Sequence, residues 1–328
     1  MLLERSRTSL PKALERMGTL QAQYAPSMYI GLWSRVEGFE RDALTGALER
    51  RAVVQGTLMR STIHLVSRAD YWPLAVAIRD ARRTMLLKSA RDIPPAAKMA
   101  AAAERVRARL ASESPLRRAD MHDLLGRKSP VTNAVNAWLD LVRVPPSGTW
   151  ERRRADLYAA AEDWLGPENT GYDEGVELLA RRYLRGYGPA SLRDLADWAG
   201  MPPKQIAPAL ERLKLRRFRS EDGEELIDLP RAPLPDPETP APVRLLPVWD
   251  ATLLVHARRT GILPEEHRSK VFNVKTPQSV NTFLVDGEVA GTWRFEKGRV
   301  RLSPFGRLPS SVRRELGTEA ERLAELHA

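Results

Sequence analysis

At 328 residues the chain is long enough for two to four domains, and 43% apolar with 29% charged residues is globular rather than disordered composition. Cysteine is absent, which excludes disulfide scaffolds, Cys-ligated zinc, iron–sulfur clusters and thiol nucleophiles. Lys and Arg total 52 against 42 Asp and Glu, a formal charge of +10 that favours a polyanionic partner, nucleic acid first.

In chain order, the first signal is a stripe of Leu10, Ala13, Leu14, Met17, Leu20 and Tyr24, read as one face of a helix. A helix over about 41–51 follows, then Val53 to Met59 and Thr62 to Val66, rich enough in Val, Thr, Ile and Leu to be paired strands. A second copy of this pattern begins where Ser114-Pro115 and Ser129-Pro130 each open a short helix. In the second of these, Val131, Ala134, Val135, Trp138, Leu139 and Val142 make a regular apolar stripe. A turn at Pro145-Pro146-Ser147-Gly148 would return through Trp150 into Arg152, Arg153 and Arg154. The third copy is the clearest. Ser191 caps a helix that stops at Gly200, Pro203 sits at the opening of the next, and Asp222-Gly223 turns a hairpin between Leu215–Arg219 and Glu224–Leu229. Two short helices and a hairpin make a winged helix, so three tandem winged helices are expected.

Seven prolines between Pro230 and Pro247 predict an extended linker. Beyond it, turns at Asp286-Gly287 and Lys297-Gly298 predict a three-stranded meander, followed by a helix with Val312, Leu316, Ala320 and Leu323 on its stripe. The expected fold is therefore α+β and helix-dominated. It has winged-helix units over 1–110, 111–172 and 173–229, a linker over 230–247, and a β-rich, barrel-like unit with a terminal helix over 248–328. No run of eighteen apolar residues and no signal-peptide pattern occurs, so a cytoplasmic protein is expected. The five histidines show no metal-ligand spacing, so neither metal nor cofactor is expected.

The common nucleotide, dinucleotide, serine-hydrolase and zinc-protease motifs are missing. The unusual feature is Leu20-Gln21-Ala22-Gln23-Tyr24. Gln21 falls on an otherwise apolar stripe, which turns a polar amide toward the interior or a cleft. On an ideal helix Gln23 lies about 200° away, so the two amides converge only if the helix ends near them. Pro26 disfavours helical geometry at Ala25 and supplies such an end. The spacing alone equally accommodates a Gln21 that caps a core hydrogen-bond network and a Gln23 that is merely solvated.

Gly18-Thr19-Leu20-Gln21-Ala22-Gln23-Tyr24-Ala25-Pro26-Ser27, with Gly31-Leu32-Trp33, Met59 to Val66, Trp249-Asp250 and Leu284-Val285-Asp286-Gly287, resembles the AlkZ-like DNA glycosylases over nearly the whole chain. The resemblance implies three winged helices and a C-terminal β unit around a DNA channel. It also implies removal of alkylated purines or unhooking of interstrand crosslinks, with Gln21 and Gln23 matching the family's Q-x-Q signature. The family carries more chain ahead of its glutamines, so Met1 reads as a late start. Around Leu254 to Ile262 the family pattern is closer to H-A-D-R-x-R. Here Arg258 and Gly261 stand where Asp and Arg are expected, and Arg259 is kept as a DNA-contact candidate.

Two neutral amides suit one substrate class. A purine alkylated on a ring nitrogen is cationic and leaves without a strong general acid, through an oxocarbenium-like transition state. What remains is to hold a water on the sugar and to stabilise positive charge with amide oxygens. Gln23 is assigned to the water and Gln21 to the sugar or to holding Gln23; the reverse order satisfies the same chemistry. No lysine or N-terminal amine is placed near the motif, so a monofunctional enzyme is expected. Arg60, His64, Arg152, Arg153, Arg154 and Arg259 are the candidate DNA contacts. His64 is equally readable as a structural strand residue, and the arginine run as a solvated wing. The expected partner is double-stranded DNA containing alkylated purines, with the protein a monomer. The alternative is a non-catalytic winged-helix DNA-binding or regulatory protein, separated from the first reading by release of free base.

Overall fold

The computed structural model describes residues 1–89, 92–126, 130–256, 260–272 and 279–328. Its centre is a six-stranded antiparallel sheet of β1 (Leu20–Gln21), β2 (Val53–Thr57), β3 (Ile63–Ser67), β4 (Leu116–Arg117), β5 (Leu141–Arg143) and β6 (Leu157–Ala160), ordered β1-β3-β2-β5-β6-β4. The hairpin of β2 and β3 was expected from their β-branched composition. Its junction to the second unit was not: Gln55 pairs with Arg143 and Gly56 with Val142, so one sheet runs through both stretches, 1–110 and 111–172.

Two predicted helices are shorter than their stripes. The first, Leu10–Met17, stops at Gly18 (φ 70°), a left-handed cap in which a Cβ would stand 2.8 Å from the Arg182 carbonyl oxygen; Leu20 and Gln21 therefore enter the sheet. The second ends as Pro130–Ala134 with a 3-10 turn over Val135–Ala137, and its supposed last turn is β5. Arg82 and Arg83, on the helix Arg68–Ser89, donate to the carbonyls of Asn136 and Ala137, and Val142 is held opposite Gly56. Tertiary bonds thus take the carbonyls that a longer helix would have used. Ser129, expected to cap that helix, lies outside the described residues.

The sheet packs on Arg68–Ser89 and Tyr172–Tyr187, two helices that sequence reasoning left unassigned; Val54, Val66, Tyr71, Val142, Leu179 and Tyr183 form this core. The third copy matches its prediction closely. Ser191 and Asp194 form a capping box on Leu192–Ala199, Gly200 ends it at φ 70°, and Pro203–Arg212 precedes the hairpin of β7 (Arg216–Arg219) and β8 (Glu225–Asp228).

The C-terminal unit is not barrel-like. β9 (Arg244–Leu246), β10 (Thr282–Val285), β11 (Glu288–Glu296) and β12 (Arg299–Pro304) form an open sheet in the order β12-β11-β10-β9, backed by the helix Ser310–His327. β9 lies inside the stretch expected to be linker. Its three residues fall between Pro242 and Pro247 and contain no proline, so their N–H groups are free to pair with β10. Leu245, Phe283, Trp293, Leu316 and Leu323 share one core with Leu14, Leu20, Tyr29, Leu32 and Leu65, which fuses the two ends of the chain. A buried bidentate ion pair fastens them: Arg35 donates to the Asp250 carboxylate at 2.9 and 2.7 Å and to Thr252 at 2.8 Å. No helix among the described residues is long and apolar enough to cross a membrane.

Candidate active site

Neither glutamine stands on a helix: Gln21 is on the edge strand β1 and Gln23 at a bend just beyond it. Gln21 pairs in register with His64 on β3, and the Ala22 N–H continues the ladder by donating to the Ile63 carbonyl at 2.7 Å. Gln21 is half-buried, Ala22 buried, and Gln23, at a bend just past the strand, exposed. The Ile63 N–H donates to Gln23 Oε1 at 3.2 Å. A backbone N–H only donates, so this bond orients the Gln23 amide with its oxygen toward β3 and one oxygen lone pair still available. The helix Ala25–Trp33 begins two residues later, with Pro26 in its first turn where no N–H is required.

His64 is 2% exposed, so in the free protein it is a buried neighbour of Gln21 rather than a surface contact. Its Nδ1 lies 3.0 Å from the Thr62 carbonyl, which only accepts, so Nδ1 carries the proton and Nε2 keeps a lone pair. Burial, reinforced by the Arg60 charge, pushes the imidazole down to about 3. It is therefore neutral at pH 7. The next residue on this row is Gly56, where a Cβ would lie 2.6 Å from the Tyr71 ring; the missing side chain lets Tyr71 cover the sheet beside His64.

This histidine makes a stability prediction. Its folded pKa lies below the unfolded value near 6.5, so the unfolded state binds the extra proton; stability is full above pH 6.5 and is lost as pH falls toward 3. Each pH unit within that window is expected to cost about 1.4 kcal/mol from this group. His327, pushed down to about 4 by burial, acts in the same direction. Thermal melts of the parent and of His64→Gln from pH 7.5 to 4.5 check this, the variant showing the shallower decline.

Arg60, the other candidate contact near this edge, is not part of β3. It sits in the 3-10 turn Met59–Ser61 at φ 51°, before β3 begins, and its Nη1 donates to the Trp198 carbonyl at 2.7 Å. Gly200 (φ 70°) is packed against it, a Cβ there falling 3.1 Å from Arg60 Cα. Arg60 thereby joins the third helix pair to the strand bearing His64. Arg152, Arg153 and Arg154 lie exposed on the loop between β5 and β6, which reaches the glutamine edge: Arg153 Nη1 is 3.4 Å from the Tyr24 hydroxyl. That proximity was invisible in the sequence, where the two residues are 129 positions apart. Arg259, with Arg258, lies outside the described residues. No group of three His, Asp or Glu side chains that could hold a metal ion occurs among the described residues.

The family model of the AlkZ-like DNA glycosylases matches residues 14–326. The chain belongs to this family. Among solved structures, the AlkZ-like chain is similar to the DNA glycosylase AlkZ of Streptomyces sahachiroi, with a TM-score of 0.83 at 19% identity over 99% of this chain and 93% of that one. At that identity the likeness speaks for the fold. No curated protein sequence matches the chain. Family membership makes the protein a DNA repair glycosylase, with DNA as substrate.

Proposed function

We propose that this glycosylase hydrolyses the N-glycosidic bond of purines made cationic by N-alkylation, with Gln21 and Gln23 at the reacting sugar. The observation that carries the reading is the glutamine edge of the central sheet: Gln21 stands in register with a neutral imidazole, and, two residues on, the Gln23 amide oxygen is held by the Ile63 N–H of the same neighbouring strand. None of these groups is a strong acid, which restricts efficient chemistry to a base that departs without protonation. An alkylated purine already carries the positive charge and leaves as a neutral base. Gln23 accepts a hydrogen bond from water through its remaining oxygen lone pair, while the Ile63 N–H fixes the amide plane. Gln21, half-buried against His64, faces the sugar and stabilises the developing oxocarbenium charge with its carbonyl dipole.

The base must leave the stack to reach this edge, which adds selectivity for weakened pairs. Crosslinks joined through an alkylated purine fall within the same chemistry. The three helix-and-hairpin copies are read as winged helices that present the DNA, and the protein is read as a monomeric, monofunctional enzyme needing no cofactor. The test is base release under single-turnover conditions from duplexes bearing an N-alkylated purine, a neutral lesion or no lesion. Rapid release from the first and at least a hundredfold slower release from the others is expected. Comparable rates on neutral and cationic lesions would overturn the substrate class, and no release from any duplex would favour a DNA-binding role without chemistry.

A further inference from the structure

Asp156 divides the arginine run. Its carboxylate accepts from Arg152 at 3.3 Å and stands 3.9 Å from Arg154, whereas no carboxylate pairs with Arg153 among the described residues. Arg153 lies over the Trp150 ring at 5.5 Å and donates to the Trp150 carbonyl and the Tyr24 hydroxyl, each at 3.4 Å. The loop beneath it is firmly held. Ser147 Oγ accepts from the N–H groups of Asp156 and Leu157 at 2.6 and 3.1 Å, Gly148 N–H donates to the Arg152 carbonyl at 2.8 Å, and Gln55 donates to the Gly148 carbonyl at 3.0 Å. Arg153 is thus a pre-placed cation whose guanidinium, with five donors, has only weak neutral partners.

Tyr24 completes the arrangement. Its hydroxyl accepts from Arg153, which leaves its own O–H to donate outward, and the side chain is 42% exposed although it is large and partly apolar. Two donors therefore converge at one point without a facing carboxylate, the pattern that recognises a phosphate oxygen. Tyr24 follows Gln23 directly, with Cα atoms about 3.8 Å apart. A phosphate held there belongs to the nucleotide at Gln23 or to its neighbour on the same strand.

We propose that Arg153 and the Tyr24 hydroxyl form a phosphate seat for the lesion-bearing DNA strand beside Gln23, while Arg152 and Arg154 hold the loop in shape through Asp156. Its placement on the lesion strand rests on the catalytic reading of Gln23; its existence as a phosphate contact does not. The test is anisotropy binding of the full chain to an undamaged duplex and to one carrying an abasic analogue, titrated with salt. Arg153→Ala is expected to weaken binding to both and to lower the slope of log K against log salt by about 0.9, one phosphate contact. Arg152→Ala and Arg154→Ala should each change that slope by less than half as much. Arg153→Lys should restore the slope but not the full affinity, and Tyr24→Phe should weaken binding about tenfold with the slope unchanged. Equal melting temperatures show that the variants fold. An unchanged slope in Arg153→Ala, or an equal loss at Arg152 or Arg154, overturns the seat. A parent that binds DNA but releases no base overturns the glycosylase reading and leaves the seat standing.

Discussion

Gln23→Ala is expected to slow single-turnover excision of an N-alkylated purine by roughly tenfold to a thousandfold, the range for losing a positioning or dipolar group. Affinity for an abasic-analogue duplex should stay within about threefold, because the side chain is one exposed neutral amide among many phosphate contacts. The loss of stability should be modest, about 1 kcal/mol, since one part-buried hydrogen bond to the Ile63 N–H is removed. Gln23→Glu is the sharper variant. It keeps the size and an acceptor for Ile63, but replaces a dipole by a negative charge that attracts the cationic nucleotide in ground and transition states alike, so binding of the lesion improves more than the rate. Gln21→Ala should lose comparable activity. It sits half-buried in register with His64, so its melting temperature must be measured beside its rate. If both alanine variants fold, bind DNA and excise at the parental rate, the catalytic assignment is wrong.

Asp250→Ala is expected to be strongly destabilising. Arg35 and Asp250 are 4% and 2% exposed, and the substitution leaves the guanidinium buried with the Gly31 carbonyl and the Ser34 and Thr252 hydroxyls but no counter-charge. Breaking such a pair costs about 3–5 kcal/mol, a fall in Tm on the order of 10 °C for a chain of this size. Asp250→Asn, which retains an acceptor oxygen, should lose less. The double variant Arg35→Met with Asp250→Leu should recover most of the loss, since removing both charges also removes their desolvation cost. Thermal melts of the parent, the two Asp250 variants, the single variants Arg35→Met and Asp250→Leu, and the double variant distinguish these outcomes. Full additivity of the two single losses in the double variant would show that the pair is not coupled. The helix Ala25–Trp33, whose Gly31 carbonyl Arg35 binds, begins two residues after Gln23, so loss of the pair should also lower excision as the glutamine edge loses its support.

What the amino-acid order determined by itself was local. Ser191, Gly200 and Pro203 carry their helix boundaries in residue chemistry, through a side-chain cap, freedom at positive φ and a missing N–H, and these boundaries appear where expected. The hairpin turns at Gly223, Gly287 and Gly298 are legible for the same reason. Gln21 was visible as a polar residue on an apolar stripe, and the family resemblance joined Gln23 to it and supplied the chemistry of the pair. Only the tertiary structure decided the pair's geometry. Met17, Leu20 and Tyr24 satisfy a helical period, but Gly18 is held in the left-handed region against Arg182, and β3 offers the next residues a ladder. Apolar spacing records which residues are buried, not which hydrogen-bond partner buries them. The same ambiguity hid β5 within a helical stripe, and β9 within a proline-rich stretch, because strand pairing depends on a partner distant in the chain. The meeting of Arg153 with Tyr24, and of Arg35 with Asp250, has that cause too. Complementary charge and donor geometry leave no periodic trace in sequence, and only the packing of the sheet and the two chain ends brings these residues together.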